Sequence, residues 1–363
     1  MGMRLNWTVQ FMPKSVPTIR RLAELCQVSK STVAMALRND PHVAEPTRLR
    51  IKAAAAREGY VCDPRVNRLM SLLRRQKRTA LWNVAWLNSS SEERRWTHLP
   101  WFVGYQRGAE RRAGELGYTI DPIWIRNQTP RQLAKVLKAR NIQGLLIPFP
   151  EQPAFWAEFP WGHFSSVVVD EFEVKLSLPR VMGNRHGNMR TLLDQLDKMG
   201  YRRPALWLQR RVDEVSESAY SSAFLGWRYQ DRRAKPLIWL FDKFDPEAMR
   251  RKSKEHRPDV IICSHSDMAK LLREAGIAVP EDVALTHLNL ASDVADWSGI
   301  DQRQETIGST ALELLNTLLN AGQTGLVDCS QTLSIPGVWK QGTTTLRRKP
   351  PVSPSRLGSP SSL

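Results

Sequence analysis

The chain has 363 residues, 42% of them hydrophobic; this is more than one ordinary core holds, it excludes wholesale disorder, and two or three domains are expected. The formal charge of +17 is unevenly placed, with sixteen Lys/Arg against five Asp/Glu in residues 1–79 and four further cations, Arg347, Arg348, Lys349 and Arg356, near the end. A basic head on a near-neutral body points to a polyanion-binding module on a separate machine. No apolar run reaches the ~18 residues of a membrane span, and residues 1–16 lack the apolar run of a secretory signal. Cys26, Cys62, Cys263 and Cys329 are scattered without a C-x-x-C, so a cytoplasmic protein with buried thiols is expected.

Residues 1–16 read as a disordered arm. Over 17–61 the pattern is all-α. Thr18 can cap a helix with Ile19, Leu22, Ala23 and Cys26 on one face, and Ser29 can cap a second with Val33, Ala36 and Leu37. A third follows Pro46, carries Leu49, Ile51, Ala54 and Ala55, and stops at Gly59. Residues 62–79 form a basic, apolar-striped linker that starts at Asp63-Pro64 and holds Val66, Leu69 and Met70.

Between 80 and 344, apolar runs at 83–87, 144–148, 167–170, 205–208, 237–240, 260–263 and 283–285 alternate with helical patterns. The helical patterns include 103–116, 130–140, 187–199, 267–275 and 305–321. Strands that are apolar along their length between helices predict doubly wound parallel sheets covered on both faces, and the length predicts two such lobes. The Pro/Ser/Arg-rich residues 345–363 read as a disordered tail.

The turn Leu25–Val28 joins the first two short helices as in a helix-turn-helix, whose second helix enters the major groove. Lys30, Ser31 and Met35 lie together around that helix, away from Val33, Ala36 and Leu37, and are expected to read base edges. Lys30, Arg38 and the backbone near Ser29 are expected to hold phosphates, with Thr18, Thr32, Asn39 and His42 completing the DNA-contacting set.

The run PTIRRLAELCQVSKSTVAMALRNDPHVAEPTRLRIKAAAAREGY, residues 17–60, resembles the headpiece of the lactose/galactose repressor family of bacterial transcription regulators. Thr18-Ile19, Val28-Ser29, Thr32-Val33, Ala36-Leu37, Arg50-Ile51 and Gly59-Tyr60 carry the resemblance. RPDVIICSHSDMAKLLREAGIAVPEDVAL and the Gly299–Gln302 segment extend it to a periplasmic-binding-protein-like effector core, so that it covers residues 17 to about 344. It implies a homodimer on a near-palindromic double-stranded operator, a hinge helix over the linker with Leu69 wedged into the minor groove, and a carbohydrate-type effector between the lobes. Three positions depart from the family pattern: Gln27 stands where a turn glycine is usual, Ala44 where a serine cap is usual, and Cys62-Asp63-Pro64 alters the proline placement.

In open α/β folds ligands bind beyond the carboxyl ends of the strands. The expected effector contacts are therefore Trp101, Phe102, Asp170, Asn184, Ser266, Asp267, Asn289 and Gln302. The family's arginine is absent from the 219–220 stretch, and Gly183 and Asn289 stand where acids are common, which fits a neutral sugar held by amides and equally a lost or altered ligand. There is no phosphate-binding glycine loop, dinucleotide fingerprint or H-E-x-x-H, and His265 and Asp267 near Cys263 lack further metal ligands. An enzyme, a cofactor and a metal are not expected. The alternative reading, a soluble carbohydrate-binding protein without DNA function, conflicts with the basic N-terminal module. Family members usually carry arginine at position 35, which reads guanine through paired hydrogen bonds that methionine cannot make. Met35→Arg should therefore change the DNA sequence selected from a random library; an unchanged selection would place position 35 off the reading face.

Overall fold

The computed structural model describes residues 18–37, 40, 42–60, 82–90, 99–126, 128–170, 174–230 and 236–347. The arm 1–16, the linker 62–79 with Leu69, and Arg38 and Asn39 lie outside the described residues. The chain divides into two units, residues 1–81 with 317–324, and the remainder.

In the first unit three helices run over Ile19–Cys26 (α1), Lys30–Leu37 (α2) and Glu45–Glu58 (α3). Thr18 Oγ1 accepts the Arg21 N–H at 3.2 Å and Ser29 Oγ accepts the Thr32 N–H at 3.0 Å, so both expected caps are made. Gln27 closes α1 in the left-handed region, φ 51°, with its N–H turned to the Ala23 and Glu24 carbonyls. Arg50 Nη2 also reaches the Cys26 carbonyl at 3.2 Å and supplies a cation to that helix end. α3 starts on Ala44 without a side-chain cap, with Pro46 in its first turn. Asp40 accepts the His42 N–H at 3.0 Å and pairs with His42 Nδ1 at 2.8 Å inside its own turn.

Leu22, Val33, Ala36, Val43, Ile51, Ala54 and Ala55 bury the small core of this unit. Leu49, expected to face inward, is 59% exposed. It lies two positions from Ile51, about 200° around the helix, so the two cannot share a face.

The second unit holds two six-stranded sheets. β1 Trp82–Asn88, β2 Tyr118–Trp124, β3 Gly144–Pro148, β4 Ser165–Val169, β5 Arg180–Gly183 and β11 Thr332–Ile335 form the first, ordered β11-β5-β4-β3-β1-β2 and parallel throughout. β6 Pro204–Gln209, β7 Leu237–Phe241, β8 Val260–Cys263, β9 Ala284–His287, β10 Ser298–Asp301 and β12 Val338–Lys340 form the second, ordered β12-β10-β9-β8-β6-β7, with only β12 antiparallel. Every residue of β3, β4, β8 and β9 is buried, as expected for central strands covered by helices on both faces.

The chain crosses between the sheets three times, at residues 183–185, 301–304 and 335–338. The first lobe is therefore completed only by the helix after the second crossing and by β11. That helix, Gln304–Ala321, packs against Pro100–Leu116 at two glycines: a Cβ on Gly108 would lie 1.9 Å from the Glu305 carbonyl oxygen, and one on Gly308 1.9 Å from that of Tyr105. The packed core extends past the expected boundary at 344. Thr345 is buried and bonds Ser298 Oγ at 2.7 Å, and the Leu346 N–H donates to the Tyr201 phenol at 3.0 Å. Cys26 and Cys263 are buried as expected, whereas Cys329 is exposed. No helix among the described residues is long and apolar enough to cross a membrane.

Left-handed backbone costs an L-residue about 1–2 kcal/mol, and glycine gives back about 0.5–1 kcal/mol of that through its unfolded-state freedom. Gln27→Gly should stabilise the helical unit by up to about 1 kcal/mol, read as a several-fold rise in amide hydrogen-exchange protection over residues 19–58 of the full chain.

Candidate functional site

Two places collect polar side chains that packing alone does not explain. The first is the start of α2. Ser29 Oγ lies 2.6 Å from Ser31 Oγ and 2.8 Å from Thr32 Oγ1, making a hydroxyl cluster at the helix N-terminus. Ser29, Lys30 and Ser31 are exposed, and Thr32 is partly so. Arg20, Gln27, Ser29 and Lys30 border one surface depression there. Backbone N–H groups at a helix start, hydroxyls and two cations are donors suited to phosphate oxygens. Thr18 is exposed but spent on its cap, and His42 is exposed and paired with Asp40. Met35 departs from expectation: it is half-buried and packs against the core of this unit instead of standing clear beside Lys30 and Ser31.

The second place lies between the two lobes. Asp170 follows β4 with φ 58° and is 4% exposed. Its carboxylate accepts the Tyr105 phenol at 2.9 Å from the first lobe and pairs with the Arg185 guanidinium at the start of the helix Arg185–Lys198 in the second. The Tyr220 phenol is near enough to feel the charge of the Arg185 guanidinium. Gln302, at the second crossing, donates from Nε2 to Tyr220 at 3.2 Å and to the Leu288 carbonyl at 2.8 Å. Tyr105, Asp170 and Arg185 are thus bonded in series from lobe to lobe, with Tyr220, held by Gln302, beside the guanidinium.

The electrostatics follow the burial. The Tyr105 phenol is pushed well above its ordinary value, first by burial and then by the Asp170 charge. The Tyr220 phenol is also raised by burial, which outweighs the opposing guanidinium of Arg185. Burial opposes the charged form of Arg185, and the adjacent Asp170 carboxylate more than overcomes it.

The remaining expected contacts fall in different places. Phe102 is 5% exposed and packs edge-on against Trp86, so it is a core residue. Trp101 is half-buried, with its ring centroid 4.9 Å from that of Phe149. Asn184 caps the helix that carries Arg185, accepting the Gly187 N–H at 2.9 Å. Asn289 Oδ1 accepts from Gln304 Nε2 at 2.6 Å at the second crossing. Ser266 and Asp267 are exposed and make no side-chain bond to any of these five.

Reading the sequence missed Tyr105, Arg185 and Tyr220. Tyr105 stands four residues after Trp101, on the same helix face, a spacing that could have marked it. Arg185 follows Asn184 directly and supplies a guanidinium that residues 219–220 lack. Gly183 has a reason to carry no side chain: a Cβ there would lie 2.6 Å from Gln302 Oε1.

Residues 18–63 match the family profile described as bacterial regulatory proteins, lacI family. Residues 193–340 match a periplasmic binding protein-like domain. Among solved structures, the chain is similar to a transcriptional regulator CelR–cellobiose complex at 18% identity and TM-score 0.54, over 91% of this chain and 100% of that one. A lac repressor dimer bound to operator and the anti-inducer ONPF matches at 17% identity and TM-score 0.54, over 91% and 99%. A transcription regulator-like protein from Staphylococcus haemolyticus matches at 13% identity and TM-score 0.56, over 74% and 100%. At these identities the structural likeness speaks for the fold alone. No curated protein matches in sequence.

Asp170→Asn keeps the shape but leaves a buried guanidinium without its counter-charge, and should cost the core about 3 kcal/mol in urea unfolding. The two phenols set a high-pH limit. An unfolded chain loses their protons near pH 10.0 while the folded chain keeps them, so their contribution is complete below that pH and is lost as pH rises above it. Melting temperature should fall above pH 10.0, and Tyr105→Phe should flatten that fall.

Proposed function

The chain belongs to the lacI family of bacterial regulatory proteins, and from that premise we propose how this regulator works. It binds a near-palindromic operator as a homodimer in the cytoplasm, and a small-molecule effector, carbohydrate-like in size, occupies the cleft between the lobes. The observation that carries the DNA-reading half is the exposed start of α2, where Lys30 stands beside the bonded hydroxyls of Ser29, Ser31 and Thr32. A helix start of this kind holds phosphates with its backbone and with Lys30, which together with Ser31 also reaches base edges. The concentration of positive charge in residues 1–79 supplies the salt-sensitive part of the affinity.

Effector action follows from the bond chain between the lobes. A ligand that binds one lobe arrangement more tightly than another shifts their populations by its difference in affinity, and couplings of about 1–3 kcal/mol are ordinary. The family is one of transcription regulators and not of enzymes.

Selection of bound DNA from a random library by the full chain, followed by gel shift, tests this reading. Salt-sensitive binding to a two-fold related sequence is expected. Lys30→Ala should weaken binding and reduce the slope of log affinity against log salt by about 0.9. Absence of salt-sensitive binding in the wild type would remove the proposal.

A further inference from the structure

A cavity of about 390 Å³ opens between the lobes next to the Asp170–Arg185 pair. The first lobe contributes Lys175, Arg180, Thr332 and Ser334 to its wall, and the second contributes Arg185 and Glu217. Three cationic side chains therefore face one carboxylate. That carboxylate is engaged: Glu217 pairs with Lys175 from lobe to lobe, and both side chains are more than half exposed. Exposed pairs of this kind are weak and screened by salt, so an entering ligand displaces this one readily.

From the donor and acceptor inventory of this wall, we infer that the effector is a sugar-sized organic anion whose carboxylate or phosphate pairs with Arg185 and Lys175. This rests on the reading that the cleft is the effector site, and narrows it. Lysine and arginine carry donors only, so the three cations call for an acceptor-rich ligand, while Glu217 and the Thr332 and Ser334 hydroxyls are left to accept from a ligand's own hydroxyls. The amide oxygen of Asn184, also in the wall, is already held by the Gly187 N–H. Asp170 shows what Arg185 takes, because a carboxylate from the other lobe is bonded to it now. An anionic ligand offers Arg185 the same chemistry, in competition with Asp170, and charge-assisted bonds of this kind are the strong ones. Ligand entry therefore acts on the contact that joins the lobes.

The test measures melting of the full chain with D-glucose, D-gluconate, D-glucose 6-phosphate, sodium malonate and inorganic phosphate, each against sodium chloride at equal ionic strength. Anions should raise the melting temperature by about 3 °C at ten times their dissociation constant, and glucose should not. Malonate and gluconate against phosphate and the phosphate ester separate the carboxylate arm from the phosphoryl arm. Lys175→Ala, at an exposed position, should weaken the anion response at least fivefold, and Arg185→Gln should abolish it where the variant folds. A response to glucose equal to that of gluconate overturns the inference. So does no anion response beyond chloride, or one unchanged in Lys175→Ala, which places the anions elsewhere on a basic chain. Retained operator binding in those cases leaves the regulator reading standing, while loss of DNA binding by the unliganded wild type removes that reading and not this one.

Discussion

The pairing of Asp170 with Arg185 constrains the rest of the core. A buried carboxylate and a buried guanidinium each lose the hydration of water, and their attraction offsets this only if the geometry is good and the remaining lone pairs and protons are bonded. The acid is bonded by the Tyr105 phenol as well as by the base, and Tyr220, steadied by Gln302, lies near the base. Because the two charges come from different lobes, satisfying them also sets the separation of the lobes. The left-handed turn at Asp170, the Asn184 cap that aims the helix start, and the missing side chain at Gly183 all serve that requirement. A disturbance at any one of them is felt at both sheets.

Much of this architecture was legible in the sequence because central strands must be apolar on both faces. The runs at 144–148 and 260–263 coincide with β3 and β8 to the residue. The strands that escaped notice are short or at edges, where that constraint is absent. β2 carries Asp121 and Pro122 and lies at the end of its sheet, where a proline lacking a ladder donor is tolerated. β11, at the other end, is mostly exposed.

The interlobe site was half legible. Asp170 and Gln302 were found by their place after strands, but that rule is blind to partners arriving from helices. Tyr105 and Tyr220 look like ordinary helical aromatics until the fold brings them to one carboxylate and one guanidinium. The same blindness made Phe102 a ligand contact, although its ring fills the space beside Trp86. In the helical unit, helix periodicity placed Val33 and Ala36 correctly, but three short helices leave Met35 close enough to the core to pack against it.

The three crossings have a consequence for how the protein is made. The first lobe is a mosaic: its sheet lacks β11, and the helix that packs on Gly108 is missing, until residues 304–335 have emerged from the ribosome. The second lobe likewise waits for β12 and for Thr344 and Thr345, which bond Ser298. The first lobe cannot finish folding before residue 335 has emerged nor the second before residue 345, and the exposed sheet edges must stay soluble until then. Truncation before about residue 332 therefore removes a strand from both halves of the core at once, and truncation between β11 and residue 346 removes β12 or a buried anchor from the second.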